Sequence, residues 1–335
     1  MGTVTLAARA VQSARPAVAR FGREFTVAAV LGALVLYLAV AHREFVHPYN
    51  VTHNLLTNAA YVSIVAAGMT LVIVAGQIDL SVGSMLAVCA LAAGHLARSG
   101  VPMPAVFFMS LALGLLLGAL NGFLVAYLRI PSIVVTLAMM VALRGAALWW
   151  TKGYWVQQLP AAWKFLGTTS WLGLPLPVWA SWAVLLAVSW VASHTAFGRH
   201  IYALGSNPQA ALLAGIDTRR LNFWVFALNG LLVGLATMFH VTRFSIVQTN
   251  EGMDLELLVI TAVVLGGTNI FGGSGSVIGS YLGVLLLVFT SGALVFLGVP
   301  PTWDQAVRGT FILVAVGADI LRARRTRAAG PTREV

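Results

Sequence analysis

The chain has 335 residues, of which 59% are hydrophobic and only 9% charged, against about 25% charged in ordinary soluble domains. That composition excludes a protein wrapped on all sides by water-facing side chains, and the single cysteine, Cys89, excludes a disulfide scaffold or thiolate metal cluster built from this chain alone. The formal charge of +10 would point to nucleic acid in a soluble protein; here its meaning depends on where the basic residues fall.

A membrane-spanning helix needs about 20 mostly apolar residues, because the hydrocarbon layer is about 30 Å thick and each residue rises about 1.5 Å. Ten stretches approach this requirement: Phe25 to Ala41, Leu55 to Ala75, Ser81 to Ala97, Met103 to Leu128, Pro131 to Trp150, Val178 to Ala192, Leu221 to Val241, Leu257 to Phe271, Val277 to Leu297 and Trp303 to Leu321. The expected fold is all-α, a polytopic bundle of about ten transmembrane helices. Ala39, Val40 and Ala41 imitate a signal-peptidase site, but the long lead ahead of the first span and the nine spans after it predict that this span is retained. The division is a basic segment 1–24, a transmembrane domain 25–321 with an outside segment 151–177 and a cytoplasmic loop 195–220, and a basic tail 322–335.

An even number of spans puts both termini on one side. If that side is cytoplasmic, it collects Arg9, Arg15, Arg20, Arg23, Arg129, Arg199, Arg219, Arg220, Arg322, Arg324, Arg325, Arg327 and Arg333, leaving Arg43, Arg98, Lys152, Lys164 and Arg243 outside. This is the asymmetry of the positive-inside rule, so the excess charge describes orientation and not nucleic-acid binding. Trp149, Trp150, Tyr154, Trp155, Trp163, Trp171, Trp179 and Trp182 bracket the outside segment, where amphipathic rings suit the headgroup layer of the membrane lipids. Leu159 to Leu166 is expected to form a short amphipathic helix on the outer surface, a landing place for an extracytoplasmic partner.

Enzymatic machinery is missing. The two lysines, Lys152 and Lys164, lie in no G-x-x-x-x-G-K-[ST] pattern, and neither H-E-x-x-H nor G-x-S-x-G occurs. Neither a catalytic group nor a metal or other cofactor is expected. His95 and His240 read as polar packing near span ends. The acids sit at predicted span edges, which leaves an ion-coupled carrier without the intramembrane relay it needs.

Polar residues within the apolar chain mark candidate sites along a translocation path. Gly76-Gln-Ile-Asp-Leu-Ser-Val-Gly-Ser84 interrupts two apolar helices, with Asp79 and Ser81 able to cap the second helix or border the path. Arg144 falls inside a span, where it must snorkel outward or face a partner. Asn121 and Asn229 occur in near-copies, Ala-Leu-Asn-Gly-Phe-Leu-Val and Ala-Leu-Asn-Gly-Leu-Leu-Val; interhelical hydrogen bonding or a sugar hydroxyl would account for them. The copies do not establish a duplicated half, because the two glycine-rich junctions would need a different offset. The second of these, Gly266 to Ser276, contributes Asn269. On the basic side, Pro208 to Gly215 reads as a short helix capped by Asn207, suited to docking another protein.

At this point the chain resembles a known family. Gln209, Ala210, Ala211 and Gly215 resemble the E-A-A-x-x-x-G loop by which permease subunits of ABC importers contact their ATPase subunits, with Gln209 in place of the glutamate and the later I-x-L-P portion absent. Together with Gly-Gln-Ile-Asp-Leu-Ser-Val-Gly-Ser, Thr-Ala-Phe-Gly-Arg, Gly-Ser-Asn-Pro-Gln-Ala-Ala and Leu-Gly-Gly-Thr-Asn-Ile-Phe-Gly-Gly-Ser-Gly-Ser, from about Asn54 to Leu321, it is similar to the branched permease family serving ribose, xylose, rhamnose and autoinducer-2. Leu148 to Pro160 is similar to the outside segment of the rhamnose and autoinducer-2 permeases, and the choice between them stays open. The resemblance implies a second permease subunit, copy or paralogue, two ATPase subunits, a periplasmic sugar-binding protein and ATP-driven import across the bacterial inner membrane. An ion-coupled sugar carrier and a membrane enzyme acting on lipid-linked sugars are the alternatives.

Overall fold

The computed structural model describes residues 24–300, 302–311, 313 and 317; residues 1–23 of the basic N-terminal segment and the tail 322–335 lie outside it, as do residues 312, 314–316 and 318–321 of the tenth expected span. The described chain is a helical bundle: α1 (Glu24–Ala41), α2 (Thr57–Val74), α3 (Val82–Arg98), α4 (Met103–Ala126), α5 (Ser132–Thr151), α6 (Phe165–Thr168), α7 (Leu176–His194), α8 (Ala196–Ser206), α9 (Pro208–Leu213), α10 (Thr218–Val241), α11 (Leu255–Leu265) and α12 (Val277–Phe296). A π-helical stretch, Asn50–Leu56, runs directly into α2. A two-residue hairpin, β1 (Ser170–Trp171) with β2 (Leu174–Pro175), lies in the outside segment. Among the described residues, seven helices are long and apolar enough to cross a membrane, and α3 and α11 are apolar but shorter.

Burial sorts the helices. α2 is apolar all round and buried along nearly its whole length, as expected of a helix enclosed by other helices; α7, α10, α11 and α12 surround it. α4 is apolar but two-faced. Phe108, Leu116, Leu120 and Phe123 are exposed, whereas Ser110, Gly114, Gly118, Asn121 and Gly122 are buried. Lipid tails are as apolar as leucine, so helices in a membrane associate through close packing of small residues. α4 and α10 show this: Gly114 and Gly118 meet Gly230 and Gly234 with main chain against main chain, and a Cβ on Gly230 would lie 2.7 Å from the Cα of Gly118. The two near-copies in the sequence thus lie on crossing helices, each against the segment just ahead of the other: Gly122 meets Phe223 and Phe226, and Gly230 meets Gly114 and Gly118. At the other side of the bundle, Leu38 of α1, Phe45, Leu55, Phe289 and Ala293 form a separate apolar cluster that seats the first helix against α12.

Two elements differ from expectation. The eighth span, expected to reach Phe271, ends as α11 at Leu265 because Gly267, Gly272 and Gly273 adopt positive φ, which ends a right-handed helix. The amphipathic helix expected over Leu159 to Leu166 is a 3₁₀ turn, Ala161–Lys164, followed by the single turn of α6. Its Trp163 is fully buried, with the indole N–H donating to the Phe244 carbonyl at 3.1 Å. Trp149, Tyr154, Trp155 and Trp171 are exposed, as interfacial residues would be.

The segment after α10 enters the bundle. Val247 pairs with Val156 in an antiparallel bridge beside Gly94, and five residues later Gly252 lies against Gly83. Gly94 and Gly83 are eleven residues apart on α3, about 16 Å of helix. The chain therefore descends along α3 and α11 starts inside the bundle.

Candidate functional site

The break between α2 and α3 is built locally. Gly76, at φ +78°, closes α2 with paired turn bonds, Gly76 N–H to Ile73 C=O (2.9 Å) and Gln77 N–H to Val72 C=O (3.0 Å), the Schellman arrangement that satisfies a helix C-terminus. The chain then turns inward, where Asp79 Oδ1 accepts from the backbone N–H (3.0 Å) and the hydroxyl (2.7 Å) of Ser81. Neither side chain caps α3, contrary to the capping role open to them in the sequence. The second carboxylate oxygen takes an amide N–H of Asn229 at 3.0 Å, and Asn121 donates to the Ser81 hydroxyl at 2.8 Å.

Asp79, Ser81, Asn121 and Asn229 thus form one chain of hydrogen bonds, and all four are fully buried. A buried carboxylate is tolerated when its lone pairs are taken by donors; here three donors from the break and α10 serve it. The network ties the α2–α3 break to the α4–α10 crossing. The amide oxygens of Asn121 and Asn229 have no partner among the described residues, and Asn229 presents its oxygen to Gly68, where a Cβ would collide with it.

The other candidates lie elsewhere. Arg144 neither snorkels nor joins this network: it donates to the Glu251 carbonyl at 2.9 Å. Asn269 folds the glycine-rich loop, its side chain accepting from Phe271 N–H (3.1 Å) and its own N–H bonding Ser274 C=O (2.9 Å). That loop reaches the end of α2 and α8. Gly273 N–H donates to Val74 C=O at 2.9 Å, Tyr202 donates to Gly275 C=O at 2.9 Å, and a Cβ on Gly272 would sit 2.9 Å from Gly76 Cα and 3.1 Å from the Gly205 carbonyl. Three polypeptide segments therefore meet through bare backbone.

Asn207 opens α9, its Oδ1 accepting from Gln209 N–H (3.1 Å) and Ala210 N–H (3.0 Å). Gly215, at φ +80°, closes the helix, with Ile216 N–H bonding Ala211 C=O at 3.1 Å. Ala211 is buried under the helix, whereas Gln209, Ala210, Leu212 and Leu213 are exposed, Leu213 to 89%. Beside α9 opens a cleft of about 550 Å³ lined by Gln77, Arg129, Ser132, Leu212, Arg219 and Asn222 among others. Replacing Asn207 by alanine is expected to cost about 1 kcal/mol of local stability. Protease cleavage within 207–217 should accelerate while cleavage in the outside segment stays unchanged.

Sequence reasoning missed Glu251, Asp254 and Glu256, placed at a span edge. The structure draws all three inward with the descending segment, and Glu251 pairs with His240 at 2.9 Å. The shortness of the apolar stretch after them was the available signal.

Apolar helices long enough to cross a membrane, enclosing a buried polar break, make the class of the protein a multi-pass membrane protein. The comparison with known proteins is narrower. The chain belongs to the family described as branched-chain amino acid transport system / permease component, whose model matches residues 51–316. It is 34% identical over 291 residues to the autoinducer 2 import system permease protein LsrC of Salmonella typhi, covering 87% of this chain and 84% of that one. The protein of the same name from Escherichia coli O157:H7 is 36% identical over 299 residues, 89% and 86% of the two chains, and that of Escherichia coli strain K12 / DH10B 35% over 297 residues, with the same shares. No solved structure matches the chain significantly. The chain is a permease component of a transport system.

Proposed function

We propose that this chain lines the inward path of an ATP-driven importer for a small polyhydroxylated molecule, autoinducer 2 or rhamnose, with ribose and xylose next. A periplasmic binding protein delivers the cargo. Two ATPase subunits dock on the cytoplasmic face, and a second permease subunit, copy or paralogue, completes the pore in the bacterial inner membrane. About ten spans with both termini cytoplasmic fit this assembly. In it, 195–220 is the docking segment, and ATP binding rocks the two permease subunits between outward and inward openings.

The observation that carries this reading is α9. A capped surface helix that exposes Leu212 and Leu213, with Leu212 lining one cleft with Arg129 and Arg219, presents apolar surface of the kind a partner covers. The likeness to the autoinducer 2 permeases, which spans most of both chains, supplies the cargo class.

The test is co-purification and uptake. Co-expressed with the ATPase and binding protein encoded beside it, the wild-type chain should retain the ATPase through purification and drive ATP-dependent uptake in proteoliposomes. Ala210→Arg combined with Leu213→Asp, both at exposed positions, should lower ATPase retention at least about tenfold, the loss of about 1.4 kcal/mol of binding, without changing thermal stability. Full retention by this double variant would refute the docking assignment. Uptake by the chain alone under a proton or sodium gradient would point to an ion-coupled carrier, and turnover of a lipid-linked glycan to an enzyme.

A further inference from the structure

The descending segment 247–254 carries charge into the outer half of the bundle. Arg144 stands seven residues before the end of α5, about 10 Å along the helix, and holds the Glu251 carbonyl. Glu251 Oε2 pairs with His240 Nε2 at 2.9 Å, and the His240 ring lies 4.1 Å from that of Tyr61. Glu256, in the first turn of α11, rests against α3, where any Cβ on Gly83 would collide with its carboxylate. Its Oε2 is buried and has no hydrogen-bond partner among the described residues. Arg144 interacts electrostatically with both Glu256 and Asp254.

Each of Arg144, Glu251, Asp254 and Glu256 remains partly exposed. Charged groups at this depth are not tolerated against lipid and face water, protein or cargo. The guanidinium has five N–H donors and makes one hydrogen bond among the described residues, while Glu256 keeps an unused acceptor beside it. Two helices also begin here, α3 at Val82 and α11 at Leu255. Interrupted helices that start inside a membrane bundle are a common setting for transported ligands.

We propose that Arg144 and Glu256 form a cargo subsite at this depth for a small, uncharged, polyhydroxylated molecule. This rests on the importer reading above and adds the residues that touch the cargo. One hydroxyl donates to the Glu256 carboxylate while its neighbour accepts from the Arg144 guanidinium. Two carboxylates beside one guanidinium disfavour an anion, and the guanidinium with the positive N-terminal end of α3 disfavours a cation. The His240–Glu251 pair, braced by Tyr61, fixes the segment whose carbonyl orients Arg144, so these are positioning residues.

The experiment uses the full importer in proteoliposomes with autoinducer 2, rhamnose, ribose and xylose as probes. Glu256→Gln, nearly isosteric, and Arg144→Gln should each raise the half-saturating concentration for the transported probe about 10- to 100-fold, the worth of a hydrogen bond to a charged group. ATPase retention should be unchanged, and Arg144→Lys should recover part of the loss. Where a variant folds poorly, a thiol placed by Met253→Cys, at an exposed position of the segment, should be protected from a polar alkylating reagent by saturating probe. Wild-type uptake with unaltered concentration dependence in both variants, or no protection at position 253, overturns the subsite alone. Failure of the wild-type importer to take up any of the four probes overturns the importer reading and the subsite with it.

Discussion

Asp79→Ala is expected to cost several kcal/mol and to leave little folded protein in detergent. The substitution strands three buried donors, the Ser81 N–H, the Ser81 hydroxyl and the Asn229 amide, at about 1–3 kcal/mol each. The damage spreads, because Ser81 is also the acceptor for Asn121 and a partly satisfied buried network is worse than none. Asp79→Asn keeps one oxygen acceptor but turns a second donor toward Ser81 or Asn229, so an intermediate loss is expected. Thermal unfolding and size-exclusion profiles of the two variants test this, and an Asp79→Ala protein as stable as wild type would show that the network does not hold α4 and α10 to the break.

The second large effect is expected at the α4–α10 crossing. Gly230→Val sets a branched side chain against the Gly114 carbonyl and the Gly118 main chain. Overpacking a core of side chains costs about 1–3 kcal/mol, because rotamers shift to make room. Backbone has no rotamers, so the helices must separate, and separation stretches the bonds of Asn121 and Asn229 to the break. The cost should exceed the usual range and appear as loss of monodisperse protein. Gly145→Ala in α5, with nothing within 4 Å of the added atom, is the matched control and should be neutral or slightly stabilising through helix propensity. Equal yields from the two variants would contradict the tight crossing.

Much of this architecture was legible in the sequence, and the reason is solvent. A helix in lipid must be apolar over its length, so α2, α4, α5, α10 and α12 announce themselves by composition alone, and polar residues inside such runs stand out. Asp79, Ser81, Asn121 and Asn229 were visible for that reason. Their convergence was not, because Asp79 and Asn229 are 150 residues apart and hydropathy carries no information on which helices neighbour each other. The α9 cap was legible because Asn207, Pro208 and Gly215 each act on backbone close to them in sequence. Glu251 to Glu256 were misplaced because a polar segment that folds back into a bundle has the same composition as one that stays in water. The end of α11 was misjudged because Ile270 and Phe271 prolong the apolar run beyond glycines that break the helix.

The meeting of Gly76, Gly205 and Gly272 has a mechanical consequence. A joint made through side chains has slack, since torsions about χ angles absorb displacement before passing it on. Here the α2–α3 break, α8 and the glycine-rich loop touch through main chain, and main chain in contact is stiff. Only Gln77 and Ile78 separate Gly76 from Asp79, so a push on α8 reaches the polar interior with almost no lost motion. Such a linkage works as a gear tooth works, by having nothing compliant between the driving and the driven part.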